Sequence, residues 1–184
     1  MPVKFDLARF VRRTLGMVAA SVLVSLFLPA SPASAELGSG WQRLTSYHSG
    51  KCLEIADWST ANGAAARQWD CHLGKNQWWF FLPQDNGSDL LFNEHSGKCL
   101  EVADWSTANG AVVRQWDCHE GANQQWVWMG TTTTDGLDVI ALKNVHSGKC
   151  LEMADWRLDN GAPARQWDCH YGDNQLWYAA DIPR

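Results

Sequence analysis

The side chains of this chain that could do chemistry come in threes. The segment HSGKCLEIADWSTANGAAARQWDCH, from His48 to His72, returns from His95 to His119 and again from His146 to His170. Successive copies start 47 and 51 residues apart. Each holds a carboxylate soon after its first cysteine (Glu54, Glu101, Glu152) and a tryptophan shortly before its second (Trp69, Trp116, Trp167). Catalysis needs an asymmetric constellation in which paired groups hold different roles. Subtracting the repeats leaves two hairpin segments and short tails, with no nucleophile and base and no unique carboxylate pair. Functional groups in triplicate point to multivalent binding, and no enzyme activity is expected.

All six cysteines lie in the repeats, and the two in each copy are 19 positions apart. The threefold pattern singles out Cys52–Cys71, Cys99–Cys118 and Cys150–Cys169 among the many possible connectivities. Each bridge closes a loop worth about 3 kcal/mol on the chain-entropy model. Neighbours such as Cys71-His72 raise a metal reading, but the paired short spacings of zinc sites are missing. No metal and no cofactor are expected.

These groups need a scaffold, and the first 35 residues are not part of it. Lys4, Arg9, Arg12 and Arg13 precede an apolar run from Leu15 to Leu28, and small residues stand at Ala33 and Ala35. This is the layout of a secretory signal peptide, residues 1–35, cleaved before Glu36. A membrane anchor is the rival, but the run is shorter than the roughly 20 residues a spanning helix needs. Arg12-Arg13 leaves the twin-arginine export route open. Cleavage removes four of fifteen basic residues and one of twenty acidic ones, moving the net charge from −5 to −8. Nucleic-acid binding wants a basic face, and an anionic membrane surface also attracts basic segments. Neither partner is expected. The mature chain, 36–184, is expected to be one extracellular, monomeric domain.

Helix signals are weak there. Asn62-Gly63, Asn109-Gly110 and Asn160-Gly161 recur between short β-prone runs. Two spacers read as hairpins, Phe80 to Phe92 turning at Asn86-Gly87 and Trp126 to Leu142 turning at Asp135-Gly136, because these dipeptides tolerate positive φ. The pattern predicts an all-β barrel of three four-strand repeats (about 41–80, 88–128 and 138–178) with pseudo-threefold symmetry. Leu53 and Ile55, with their counterparts Leu100, Val102, Leu151 and Met153, share one strand face. Glu54, Glu101 and Glu152 point the other way.

Each unit ends in Gln-x-Trp: Gln77-Trp78-Trp79, Gln124-Gln125-Trp126 and Gln175-Leu176-Trp177. Three such motifs in phase with three cysteine pairs resemble the ricin-type β-trefoil of plant-toxin B chains and of the family 13 carbohydrate-binding modules of bacteria. The likeness covers residues 41–178. It implies a shallow sugar site on each repeat. The acidic member is Glu54, Glu101 or Glu152, the stacking aromatic Trp69, Trp116 or Trp167, and the amide Asn76, Asn123 or Asn174. The implied partners are mono-, oligo- and polysaccharides. The physics agrees with this. An indole face suits the C–H face of a pyranose, a carboxylate accepts hydroxyl hydrogen bonds, and an amide both donates and accepts. One exposed site would bind at roughly millimolar to tens of micromolar, and three would add avidity of about 10² or more.

Further residues border these positions. Asp57-Trp58, Asp104-Trp105 and Asp155-Trp156 follow the first strand of each copy, and these tryptophans form a pocket wall or cover the barrel. Gln77, Gln124 and Gln175 support the fold or orient the carboxylate. The last tryptophan of each Gln-x-Trp is expected in the core, and the histidines in solvated turns. Two departures from the family pattern recur in all copies: Glu replaces the usual Asp, and Arg67, Arg114 and Arg165 replace the usual Gln. They read as an Arg–Glu ion pair holding each loop or as a fork for an acidic glycan. The alternative function is a β-trefoil that binds protein or inhibits a protease. Such inhibitors present one distinctive loop, and here the loops are nearly alike.

Overall fold

The computed structural model describes residues 40–132 and 138–182, with no side-chain account of Thr131 and Thr132. The signal-peptide segment and the Asp135-Gly136 turn lie outside the described residues. Twelve strands form among them, four per repeat. Six pair antiparallel in a closed ring: β1 (Gln42–Ser46), β4 (Trp79–Pro83), β5 (Asp89–Asn93), β8 (Gln125–Thr132), β9 (Asp138–Asn144) and β12 (Trp177–Asp181). β12 closes on β1 from Gln42↔Asp181 to Ser46↔Trp177. The other six make three hairpins, β2 (Cys52–Ile55) with β3 (Ala66–Trp69), β6 (Cys99–Val102) with β7 (Val113–Trp116), and β10 (Cys150–Met153) with β11 (Ala164–Trp167). This is a β-trefoil.

The alternation explains the layers. Leu53, Ile55 and their counterparts enter one core with Trp79, Trp126 and Trp177. These three indoles are fully buried. Buried Trp needs a partner for its N–H, and each finds one on the hairpin strand of its own repeat: Trp79 Nε1 donates to Leu53 O at 3.1 Å, Trp126 to Leu100 O at 3.1 Å and Trp177 to Leu151 O at 3.4 Å. The Gln-x-Trp thus ties the end of each repeat to its beginning. The Phe80–Phe92 hairpin pairs as expected, with Gly87 at φ +78° in its turn.

The repeats also clasp one another in a cycle. Gly63 N donates to Gln115 O, Gly110 N to Gln166 O and Gly161 N to Gln68 O. The glycines sit at φ +87°, +82° and +87°, which favours Gly after the Asn. That Asn works too: Asn160 donates to Asp70, Asn62 to Asp117 and Asn109 to Asp168. Each of these carboxylates also binds the lysine of its own repeat, Lys51, Lys98 or Lys149. The lysine first, then the asparagine, lowers the pKa of Asp70, Asp117 and Asp168 below 3.8. The three disulfides form within each repeat, the pairing that the threefold pattern singled out.

Candidate functional site

Cross-strand register builds the site. In the first repeat Cys52 opposes Trp69 and Glu54 opposes Arg67, so these four side chains share the outward face of one hairpin. The same holds for Glu101 with Arg114 and Glu152 with Arg165. A 3₁₀ turn, Ala56–Trp58, follows β2, and a second, Lys75–Gln77, brings Asn76 and Gln77 beneath it.

Glu54 points outward from its strand yet is only 2% exposed. Its neighbours account for this. Arg67 Nε donates to Oε1 at 2.9 Å, while Asn76 Nδ2 and Gln77 Nε2 donate to Oε2 at 3.2 and 3.1 Å. The other repeats keep the arginine and glutamine donors, Arg114 and Gln124 on Glu101 and Arg165 and Gln175 on Glu152, and in the second Asn123 also donates to Glu101, at 3.4 Å. A buried carboxylate persists because it is paired and hydrogen-bonded. The Gln side chains also brace the backbone: Gln77 Nε2 donates to Asp70 O, and its Oε1 accepts from His72 N.

Arg67 has three contacts. Besides Glu54 it reaches Asp57 Oδ1 through Nη2 at 3.0 Å, and its Cζ lies 4.5 Å from the centre of the Trp69 ring. The ion pair with Glu is therefore formed in every repeat, and the guanidinium spans a buried carboxylate and an exposed one. Trp69, half-buried, is also flanked by the third repeat, since a Cβ at Gly161 would stand 3.8 Å from Trp69 Cζ3. Asn76, Asn123 and Asn174 are buried as well, each donating to the backbone carbonyl of Ile55, Val102 or Met153. Their Oδ1 atoms have no partner among the described residues.

Trp58, Trp105 and Trp156 differ from every other described tryptophan. They are 50%, 49% and 49% exposed. Trp58 lies parallel to His72 at 6.0 Å and meets His95 of the next repeat edge-on at 5.1 Å. His95 Nε2 is 2.9 Å from Trp58 O. The cycle closes with His146 on Trp105 and His48 on Trp156, the last pair 108 residues apart. Asp57 and Trp58 both adopt left-handed backbone, φ 56° and 54°, as do the pairs at 104–105 and 155–156. Such a conformation costs a non-glycine residue of order 1–3 kcal/mol and persists only where the surroundings hold it.

The histidines are thus not merely solvated turn residues. His72 Nδ1 accepts from Gly74 N at 2.9 Å, which leaves Nε2 facing Glu54 Oε2 at 3.5 Å. Glu54, Asn76, Trp69, Asp57, Trp58, Arg67 and Gln77 are one connected group. The sequence reading did not include the two histidines in it. Their place at both ends of every copied segment was the available signal.

Barrel, hairpin triplet and this thrice-built polar cluster define the class. The ricin-type β-trefoil lectin domain-like family matches residues 32–116 and 122–183, and the chain belongs to it. Among solved structures, the designed threefold symmetric protein ThreeFoil is 36% identical with a TM-score of 0.73, covering 78% of this chain and 99% of that one. An exo-β-1,3-galactanase from Clostridium thermocellum is 29% identical at TM-score 0.73 over 79% of this chain but only 31% of the enzyme. The Rhizoctonia solani agglutinin shares the fold at 22% identity and TM-score 0.69, covering 82% of this chain and all of that one.

Proposed function

We propose that the chain is a secreted, monomeric lectin that binds carbohydrate at three similar sites, one per repeat, without catalysis. One observation carries this reading: a member of this family holds the same Glu–Arg–Gln cluster, with a buried Asn in the turn beneath and an exposed tryptophan nearby, three times. The likeness to the galactanase lends no catalysis, because the chain spans about a third of that enzyme. The charged n-region, the apolar run and three disulfides favour export with residues 1–35 removed.

In each site Glu54 and Asn76, or their counterparts, form the buried base. The Asn76 Oδ1 has no protein partner among the described residues, and since buried acceptors are ordinarily satisfied, it is suited to a bound water. Trp69 and Arg67 form the wall above. Arg67 is already held by two carboxylates, so the geometry favours the structural ion pair over a fork for acidic glycans.

A glycan array probed with residues 36–184 tests the function. Binding to neutral glycans, strengthened when they are displayed at high density, is the expected result. A chain that binds no glycan at any density overturns it and would leave the protein-binding alternative.

A further inference from the structure

We infer that Trp58, Trp105 and Trp156, not Trp69, Trp116 and Trp167, are the stacking platforms, and that each takes the C–H face of a neutral saccharide. This rests on the lectin reading above and names the contact residue within it.

Three independent observations lead there. The first concerns the Trp69 ring, which already has a guanidinium at 4.5 Å over it, with the same contact at 4.5 Å on Trp116 and 4.6 Å on Trp167. A sugar could use that face only after Arg67 left both Glu54 and Asp57. Trp58 needs no such movement, because half of its surface is open to solvent.

Rigidity is the second. An exposed indole normally samples several rotamers, and ordering it on binding costs affinity. Here His72 lies parallel to the ring and His95 abuts its edge. Gly74 completes the support: a Cβ there would come within 2.6 Å of Trp58 Cη2 and of His72. The counterparts at Gly121 and Gly172 would meet Trp105 and Trp156 at 2.8 Å. The ring is held in place before any ligand arrives.

The third is strain with only a partial packing return. A large apolar side chain held on left-handed backbone in all three copies leaves half of its surface in solvent, so burial offsets only part of the strain. Strain of this kind gathers at ligand-binding positions. Each platform is also shared between repeats, since the next repeat's histidine holds the Trp58 carbonyl. The ligand class follows from charge. Arg67 is already paired to Glu54 and Asp57, and the Asp57 side chain is 83% exposed, so an acidic sugar would meet a carboxylate rather than a free cation.

The test uses the mature chain in affinity electrophoresis through gels containing a galactan, a xylan, a mannan, a β-glucan or polygalacturonate. Three proteins are compared: the wild type, a triple W58A/W105A/W156A variant and the same positions changed to Phe. Wild type should be retarded by at least one neutral polymer. The Ala variant should lose about tenfold or more of that affinity, equivalent to 1.4 kcal/mol, and the Phe variant should keep most of it. Acrylamide quenching is compared in the wild type and the Phe variant: the retarding polymer should shield tryptophan from quencher in the wild type and shield little in the Phe variant, whose platforms no longer carry indole. A folded Ala variant that binds like the wild type, or a bound polymer that shields nothing, overturns the platform and leaves the lectin reading intact. Preferential retardation by polygalacturonate overturns the neutral class. Wild-type protein that no polymer retards, and that no glycan on the array captures, overturns both.

Discussion

The Arg67 guanidinium lies 4.5 Å above the Trp69 ring while its Nε donates to Glu54 at 2.9 Å. One side chain therefore neutralises a buried carboxylate and covers the aromatic that family likeness marks for stacking. Both departures from the family pattern meet in that contact. The extra methylene of Glu and the length of Arg let the pair close across the strands. Changing Arg67 to Met should leave the Glu54 carboxylate short of a donor, at a cost of about 1–3 kcal/mol. Urea unfolding at neutral pH measures it. A cost near zero would show that the pair is worth no more than a surface one. The double variant with Glu54→Gln should recover part of the loss.

The two kinds of tryptophan should respond oppositely to truncation. Trp79→Ala removes a fully buried indole with a hydrogen bond to Leu53 O and should cost about 3–5 kcal/mol. Trp58→Ala should cost under about 1 kcal/mol, because it removes a half-exposed ring while leaving the backbone strain as it was. Paired denaturant melts give the comparison. Similar losses at the two positions would mean that the Trp58 loop is part of the core.

Reduction should weaken the fold stepwise. Each disulfide spans 19 positions, and losing one by a Cys52→Ala, Cys71→Ala pair of changes should cost about 3 kcal/mol. Pseudo-symmetry predicts similar penalties for all three bridges. Thermal melts of the three double variants check both statements, and a single dominant bridge would break the equivalence.

Acid should loosen the clasps between repeats. The pKa values of Asp70, Asp117 and Asp168 are held below 3.8, chiefly by Lys51, Lys98 and Lys149 and then by the asparagines of neighbouring repeats. A carboxylate whose folded pKa is depressed adds stability in full above its unfolded value. That stability is lost as pH falls through the folded value. The melting temperature should therefore drop as pH goes below about 4. In a variant with all three changed to Asn this part of the drop should be missing, and an unchanged acid profile would refute the assignment.

The sequence by itself determined the trefoil, the disulfide pairing and the three core tryptophans. Those features are written in short-range signals repeated in phase: cysteines 19 apart, Asn-Gly turns, apolar residues two apart, and a Gln-x-Trp at the end of each copy. It also placed Glu, Arg and Asn near one another within a repeat, since they lie on one hairpin and the turn beneath it. Which tryptophan faces solvent was not legible. Trp58 and Trp69 are equally apolar, and both sit in loops or strand ends of the same repeat. Only the tertiary structure decided between them, because the deciding contacts come from elsewhere in the chain. Gly161 of the third repeat flanks Trp69, His95 of the second secures Trp58, and His48 secures Trp156 across 108 residues. Local patterning specifies each unit, whereas exposure is set where the units meet, by closure of the barrel around its pseudo-threefold axis.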